Sequence, residues 1–267
     1  MGSDRQVQEV LARADAGGVR PRLGGMARPD GIVIASERYW AFAGRDGSLR
    51  IGDQPARSGA IARVPLVRGL VRLALSVAPL LSRRGVAKPR ERRLLTAVLL
   101  LAVLTALLPA PYGLAVGFAA TAALLAVLFR GRTLRLHGAE HRAIAAAESG
   151  RLVRTWAGSD RPTRFAARCG TNFAAIAVPL SFAFEAVWPP AAAVAAPVVV
   201  PLAALAVSME LWQLVHRPGA RALHLVLLPG LALQRLTTRE PALEDTRVAL
   251  RATAAVLERE LRYSSSR

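Results

Sequence analysis

The sequence contains very little cysteine, lysine or aromatic residue. It has one cysteine in 267 residues, and only 5% of its residues are aromatic. The single cysteine, Cys169, excludes an intramolecular disulfide, so no covalent cross-link supports the fold. Lys88 is the only lysine, and arginine therefore carries almost all of the formal net charge of +18. The first 20 residues have no apolar core of the signal-peptide kind, and we expect them to form a polar tail.

Apolar residues are abundant and gathered into blocks. They make up 53% of the chain, whereas soluble domains are about 45–50% apolar. The mean hydropathy is +0.32. Arginines flank the apolar blocks and form no patch interleaved with aromatic residues, so nucleic acid is not an expected partner. Membrane proteins carry an excess of positive charge in their cytoplasmic loops, and this rule explains the position of the arginines better. We therefore expect a mainly α-helical, multi-pass protein of a bacterial plasma (inner) membrane.

Four apolar segments predict four transmembrane helices in two hairpins. The first hairpin comprises Leu94–Leu108 and Tyr112–Phe129, and the second comprises Asn172–Trp188 and Ala191–Ser208. A spanning helix needs about 20 residues, and prolines separate the two members of each hairpin. Basic residues lie at the outer ends of the hairpins, so both termini are expected in the cytoplasm.

The chain outside the spans predicts three further segments. Residues 1–57 hold the polar tail and a small antiparallel β unit, because β-prone runs flank a turn at Gly44–Gly47. Residues 58–93 form an amphipathic interfacial helix and a basic loop. Residues 94–240 are the membrane domain, and residues 241–267 form a C-terminal soluble amphipathic helix and a tail.

The segment between the two hairpins carries an H-x-x-E-H sequence made of His137, Glu140 and His141. On a helix the two histidines are four residues apart on one face, so both can bind one metal ion. Glu140 can then act as general base for a metal-activated water, as in the inverted zinc-protease motif. The pattern predicts a divalent metal cofactor, with zinc as the expected ion.

Several residues can supply a third ligand. Glu148 lies on the same face as the second histidine but about 10.5 Å further along the helix, which is too far for one ion. Cys169 stands at the start of a predicted helix and next to an arginine. The positive end of the helix and the arginine both favour the thiolate, so Cys169 can be a metal ligand or a nucleophile. Glu210 ends the fourth span at the same cytoplasmic side, where a carboxylate requires a partner. His224 is a further possibility.

Three ordered blocks of sequence resemble those of domain-of-unknown-function family 1385, the YqhQ-like bacterial membrane proteins described as predicted metal-dependent enzymes. The blocks read HGAEHRAIAAAESG from His137, ARCGTNF from Ala167 and PGLALQRLTTREP from Pro229. The resemblance implies the fold and the membrane placement, and it implies no substrate because the family is uncharacterised. Two positions depart from the family pattern. Ala166 stands where the family has a histidine, and the block around Gly24-Gly25 lacks a glutamate-containing stretch.

Two functions are consistent with these features. The first is a metal-dependent hydrolase that faces the cytoplasm and acts on a peptide or lipid-linked substrate at the membrane surface. The alternative is a non-enzymatic membrane adaptor or scaffold, in which the arginine-rich residues 130–168 and the C-terminal helix bind a protein partner or an anionic lipid. For the hydrolase, the assigned residues are His137, His141 and Glu210 as metal ligands and Glu140 and Cys169 as catalytic groups.

Overall fold

The structure is a computed structural model, and it shows a mainly helical chain with one small sheet. It describes residues 4–17, 21–54, 64–71, 73–74, 89–107, 112, 116, 119–120, 123, 131–217, 219 and 221–265. The described helices are α1 Asp4–Ala16, α2 Pro89–Leu107, α3 Gly131–Ser149, α4 Leu152–Ala157, α5 Gly170–Val187, α6 Ala196–Val215, α7 Leu228–Thr237 and α8 Leu243–Ser265.

The chain folds into two compact units, each assembled from separate stretches of sequence. The first unit comprises Met1–Ala56, Leu128–Cys169 and Leu233–Arg267. The second comprises Arg57–Val127 and Gly170–Ala232. The N- and C-terminal segments of the chain therefore belong to the same unit, which also contains the H-x-x-E-H sequence.

The first unit contains a four-stranded antiparallel sheet in the order β1-β2-β3-β4. Its strands are β1 Gly24–Arg28, β2 Gly31–Ala35, β3 Tyr39–Gly44 and β4 Leu49–Asp53. The small antiparallel β unit predicted from the sequence is confirmed, but β1 was not predicted. Its two glycines have low β propensity, although Pro29-Asp30-Gly31 is a turn signal that marks the hairpin to β2.

Residues 4–16 are helical, which corrects the expectation of a polar tail. The apolar stripe of α1 includes Val10 and Leu11, which are buried where α1 packs against α8. Asp15 accepts hydrogen bonds from the backbone N–H groups of Leu152 and Val153 and so caps the first turn of α4. The buried apolar stripe and the hydrogen bonds of Asp15 hold α1 in place, although the overall composition of this segment is polar.

The core of the first unit lies between the sheet, α3 and α8. Residues two apart along β2 and β3 point to one face, and on that face Ile32, Ile34, Ala41 and Ala43 are buried. The predicted C-terminal amphipathic helix is α8, which packs across β2 and β3 and against α3. The same core therefore packs α3 against the sheet.

In the second unit, α5 and α6 pack against each other. By length and composition both are able to cross a membrane. Only 17% of the most apolar 18 residues of α5 and 28% of those of α6 are buried. A core helix of a soluble protein is mostly buried. Phe182 on α5 and Leu202 on α6 are among their exposed apolar residues.

The first predicted hairpin is described only in part. Helix α2 covers residues 94–107 of the predicted span Leu94–Leu108. Four charged residues follow Pro89 at its start, so it is not among the described helices that are apolar enough to cross a membrane. Most of the predicted span Tyr112–Phe129 lies outside the described residues. Within the part of the chain that the structure describes, two of the four predicted spans are therefore found as membrane-length apolar helices.

Candidate metal centre

Two histidine rings lie beside each other on one face of α3. The Nδ1 atom of His137 is 2.8 Å from the carbonyl oxygen of Thr237, and that of His141 is 2.7 Å from the carbonyl oxygen of Arg164. A carbonyl oxygen only accepts, so each Nδ1 carries the proton and each Nε2 keeps a lone pair. Hydrogen bonds of this kind orient metal-binding histidines and fix their tautomer. The ring centroids are 4.4 Å apart.

Cys169 supplies a third donor atom to the same place. Its Sγ atom is 3.4 Å from Nε2 of His137, and one ligand atom from each of the three residues lies within 4.8 Å of the others. Zinc binds nitrogen at about 2.0–2.1 Å and sulfur at about 2.3 Å, so tetrahedral ligand atoms lie roughly 3.3–3.6 Å apart. The Sγ–Nε2 distance falls in this range.

The Nε2 atom of His141 is buried and has no hydrogen-bond partner among the described residues. Leaving a buried polar atom unpaired costs about 1–3 kcal/mol, so such atoms call for an explanation. Two imidazole nitrogens and one thiol sulfur are donors that suit zinc and related divalent ions. His137, His141 and Cys169 therefore fit a metal ion, and together we call them the metal triad.

Glu140 lies beside the triad on α3 and is only 5% exposed. Burial raises the pKa of its carboxyl group to about 7, although nearby His137 and a hydrogen bond from the backbone N–H of Ala27 oppose this shift. The Ala27 N–H belongs to strand β1, so the sheet contacts the acid directly. A carboxyl group with a pKa near neutrality can both accept and donate a proton.

A buried glutamine fixes the loop that leads to Cys169. The backbone N–H of Ala166 donates to Oε1 of Gln234 at 2.9 Å, and Nε2 of Gln234 donates to the Ala166 carbonyl at 2.8 Å. Gln234 is fully buried. These bonds use only the backbone at position 166, so they do not depend on the side chain there.

Residues 237–240, which we call the strap, run along α3. The Arg239 N–H donates to the Leu134 carbonyl at 2.9 Å, and the Arg142 guanidinium donates to Glu240 at 2.7 Å. The Arg239 carbonyl lies so close to Gly138 that any side chain there would overlap it. This close contact places the Thr237 carbonyl against the His137 ring.

Residues 129–259 match a protein-family model described as "Protein of unknown function (DUF1385)". The chain is similar to this family over that segment, which makes up just under half of its 267 residues. The matched segment contains the metal triad, Glu140, Gln234 and the strap, whereas the sheet lies outside it. No curated protein and no solved structure matches the chain.

Cys169 is the third-ligand candidate that joins the two histidines among the described residues. Glu148 instead forms an ion pair with Arg168 at 2.9 Å on the surface. His224 is exposed and belongs to the second unit. The helix spacing that argued against Glu148 therefore agrees with its position in the structure.

Glu210 lies within α6, because this helix begins only at Ala196 and continues to Val215, beyond the predicted end of the span. A 3-10 turn at residues 190–195 takes up the residues after the prolines. The Glu210 carboxylate accepts hydrogen bonds from the Arg68 guanidinium and, at 3.1 Å, from the Leu66 N–H. Glu210 is not a member of the described metal-ligand group.

A mostly apolar pocket of the first unit lies away from the metal triad. Residues of α1, the β3–β4 turn and α8 line it, and none of them belongs to the triad or the strap. Its rim charges already form pairs, as Arg251 does with Asp4 and Glu258 with Arg262. This pocket therefore does not overlap the metal triad.

Proposed function

We propose that this protein is a membrane-bound, metal-dependent hydrolase whose zinc or related divalent ion is held by His137, His141 and Cys169. The observation that carries the proposal is the buried, unpaired Nε2 of His141 next to two other ligand atoms. Catalytic zinc sites use three protein ligands and keep a position for water or substrate, whereas structural sites use four. Three protein ligands and a neighbouring carboxyl group therefore favour catalysis.

Glu140 acts as the general acid and base in this proposal. A divalent ion, when bound, supplies Lewis-acid activation of water and of a carbonyl or phosphoryl group. A carboxylate oxygen of Glu140 accepts the proton of the attacking water and returns it to the leaving group. The burial that raises the pKa of Glu140 to about 7 supports both roles at neutral pH. The substrate class is a peptide or a lipid-linked molecule.

The proposed location is a bacterial plasma membrane, with four spans and both termini in the cytoplasm. Apolar side chains exposed along α5 and α6 support insertion, because water-exposed apolar surfaces of this extent are rare in soluble monomers. Arginines on either side of the predicted hairpins support the orientation. The metal triad would then face the cytoplasm.

The proposal is tested by metal analysis of the full chain purified in detergent. We expect about one zinc per chain in the wild type, loss of most of it in His141→Ala, and retention in Glu140→Gln. His224→Ala is the matched control, because this histidine is exposed and lies outside the triad. A wild type without stoichiometric metal after growth with zinc, or equal metal loss in the control, contradicts the proposal.

A second candidate function is supported by the contact between Cys169 and His137. A thiol 3.4 Å from an imidazole nitrogen can transfer its proton to the ring and act as a nucleophile. In that case no metal is needed, but Nε2 of His141 is left without a role. Iodoacetamide labelling of Cys169 separates the two candidates. A metal site predicts slow labelling that a chelator accelerates, and a nucleophile predicts fast labelling that a chelator does not change.

A further inference from the structure

Strand β1 contacts the acid of the candidate centre although it lies outside the segment that matches the family model. As the first strand in the order β1-β2-β3-β4, it pairs on one edge with β2, and no described strand pairs with its other edge. Strand β1 packs against α3. The Ala27 N–H donates to the Glu140 carboxylate, so α3 satisfies part of what an edge strand leaves unpaired.

Gly25 makes the second contact with the same side chain. A Cβ atom at this position would lie 2.7 Å from Cγ, 2.8 Å from Cδ and 2.8 Å from Oε1 of Glu140. Contacts under 3.0 Å essentially never occur for real Cβ atoms. Gly25 and Ala27 are two residues apart on one strand, so they share a face of the sheet. The Glu140 side chain thus occupies the space that a side chain at position 25 would fill.

Gly24, the other glycine of this pair, has no such contact. Apart from its two chain neighbours, a Cβ atom placed there meets no atom of the described residues within 4 Å. The two adjacent glycines have the same chemistry and lie in the same strand, yet only one faces the acid. This difference separates a contact with Glu140 from a general need for glycine in β1.

We propose that β1 forms one wall of the catalytic centre, with Gly25 as a positioning residue that admits the Glu140 side chain and the Ala27 N–H as the group that orients its carboxylate. The role of Glu140 as the acid and base rests on the proposed function, whereas the contact itself does not. A larger residue at position 25 forces the acid out of its place without removing any metal ligand.

The test compares Gly25→Ala with Gly24→Ala in the full chain, each in the wild-type and in the Glu140→Ala background. Thermal unfolding and the absorption spectrum of bound Co²⁺ are measured for all variants. We expect Gly25→Ala to lower the melting temperature by about 4 °C or more in the wild-type background. We expect no such fall when Glu140 is already truncated. Gly24→Ala should have no effect in either background.

The spectrum reports on the centre and not on folding alone. We expect Gly25→Ala to bind one Co²⁺ per chain with altered d–d bands, and Gly24→Ala to give the wild-type spectrum. If Gly25→Ala does not fold, recovery of folding in Gly25→Ala/Glu140→Ala supports the proposal, and failure of both overturns it. Equal effects of the two glycine variants also overturn it. A wild type that binds no metal refutes the proposed function, while the comparison of melting temperatures still decides whether Gly25 positions Glu140.

Discussion

At the scale of single residues, the centre depends on backbone carbonyls as much as on side chains. The rings of His137 and His141 are oriented by the carbonyls of Thr237 and Arg164. Both carbonyls belong to loops, and those loops are held by other side chains. The Arg164 guanidinium, for example, donates to the carbonyl and the hydroxyl of Thr238 at 2.9 Å and 2.7 Å. Mutation of groups that hydrogen-bond to metal ligands lowers metal affinity by about 10–100-fold.

Gln234→Ala tests whether a side chain that holds one of these loops supports metal binding. Removing the amide deletes both hydrogen bonds to Ala166 and loosens the loop that carries Cys169. We expect the affinity for zinc to fall by about 10–100-fold and the free energy of unfolding to fall by about 1–3 kcal/mol. Competition with a chelator and chemical unfolding measure the two quantities. Gln213→Ala is the control, because its amide donates to Met209 within α6. Unchanged zinc affinity in Gln234→Ala would contradict this role.

At the scale of elements, the strap packs directly against the backbone of α3. The approach of the Arg239 carbonyl to Gly138 brings backbone against helix with no flexible side chain between them. Glycine inside a helix costs about 1 kcal/mol relative to alanine. The close contact with the strap therefore explains why position 138 has glycine and not a residue of higher helix propensity.

Gly138→Ala tests the packing of α3 against the strap. We expect a net loss of about 1–3 kcal/mol in unfolding free energy, because backbone atoms must move to admit the methyl group, together with loss of zinc. Gly131→Ala in the same helix is the control, since among the described residues beyond its chain neighbours a Cβ atom there meets only Nη1 of Arg239, at 3.6 Å. Propensity alone predicts that both variants gain stability, so a gain in Gly138→Ala would refute the close contact.

The Glu210 carboxylate has a separate structural part in the second unit. It accepts hydrogen bonds from Arg68 and from the backbone N–H of Leu66, a non-glycine residue with a left-handed φ of 65°. Such a conformation is strained and persists only when its surroundings hold it. Gly69 allows the same segment to approach Met209 of α6. Glu210 therefore fastens residues 64–71 to the helix.

Glu210→Gln separates this role from metal binding. We expect faster proteolysis near residues 64–71, because the amide cannot replace the charged pair with Arg68, and an unchanged zinc content. Limited proteolysis followed by mass spectrometry, and metal analysis of the same sample, give both results. Arg68→Gln serves as the partner control and should increase proteolysis as Glu210→Gln does. Loss of zinc in Glu210→Gln alone would make this carboxylate the ligand that the sequence indicated.

At the scale of the whole molecule, the described residues include two apolar helices long enough to cross a membrane, and the chain carries a formal net charge of +18. Binding of an anionic lipid or a protein partner by residues 130–168 stays a prediction. The single cysteine makes the orientation accessible to labelling, because Cys169→Ser leaves a chain without thiols.

The topology is tested with single cysteines placed in the Cys169→Ser background. We expect Ala191→Cys, in the turn before α6, to react with a membrane-impermeant maleimide in intact spheroplasts. Ser159→Cys, in the loop after α4, should react only after permeabilisation. Both positions are exposed in the structure, so accessibility within the fold does not separate them. Equal labelling of both from outside would contradict the cytoplasmic placement of the metal triad.

The sequence alone determined the local features of this protein. A spacing of four residues puts His137 and His141 on one helix face because an α-helix has 3.6 residues per turn. Apolar runs with flanking charge indicated α5 and α6, and β-prone runs around turns indicated most of the sheet. These patterns involve residues that are close together in the sequence, so they can be recognised without the tertiary structure.

Only the tertiary structure showed which distant residue lies beside the two histidines. Cys169 and Glu210 were both reasonable third ligands from the sequence, and the fold places Cys169 beside His137 while Arg68 engages Glu210. The sequence blocks that contain the strap and Gly25 were recognised, but their structural roles were not, because backbone carbonyls and glycines carry no chemical signature in a sequence. Their parts arise from close packing between segments about 100 residues apart, and that packing is a property of the whole core.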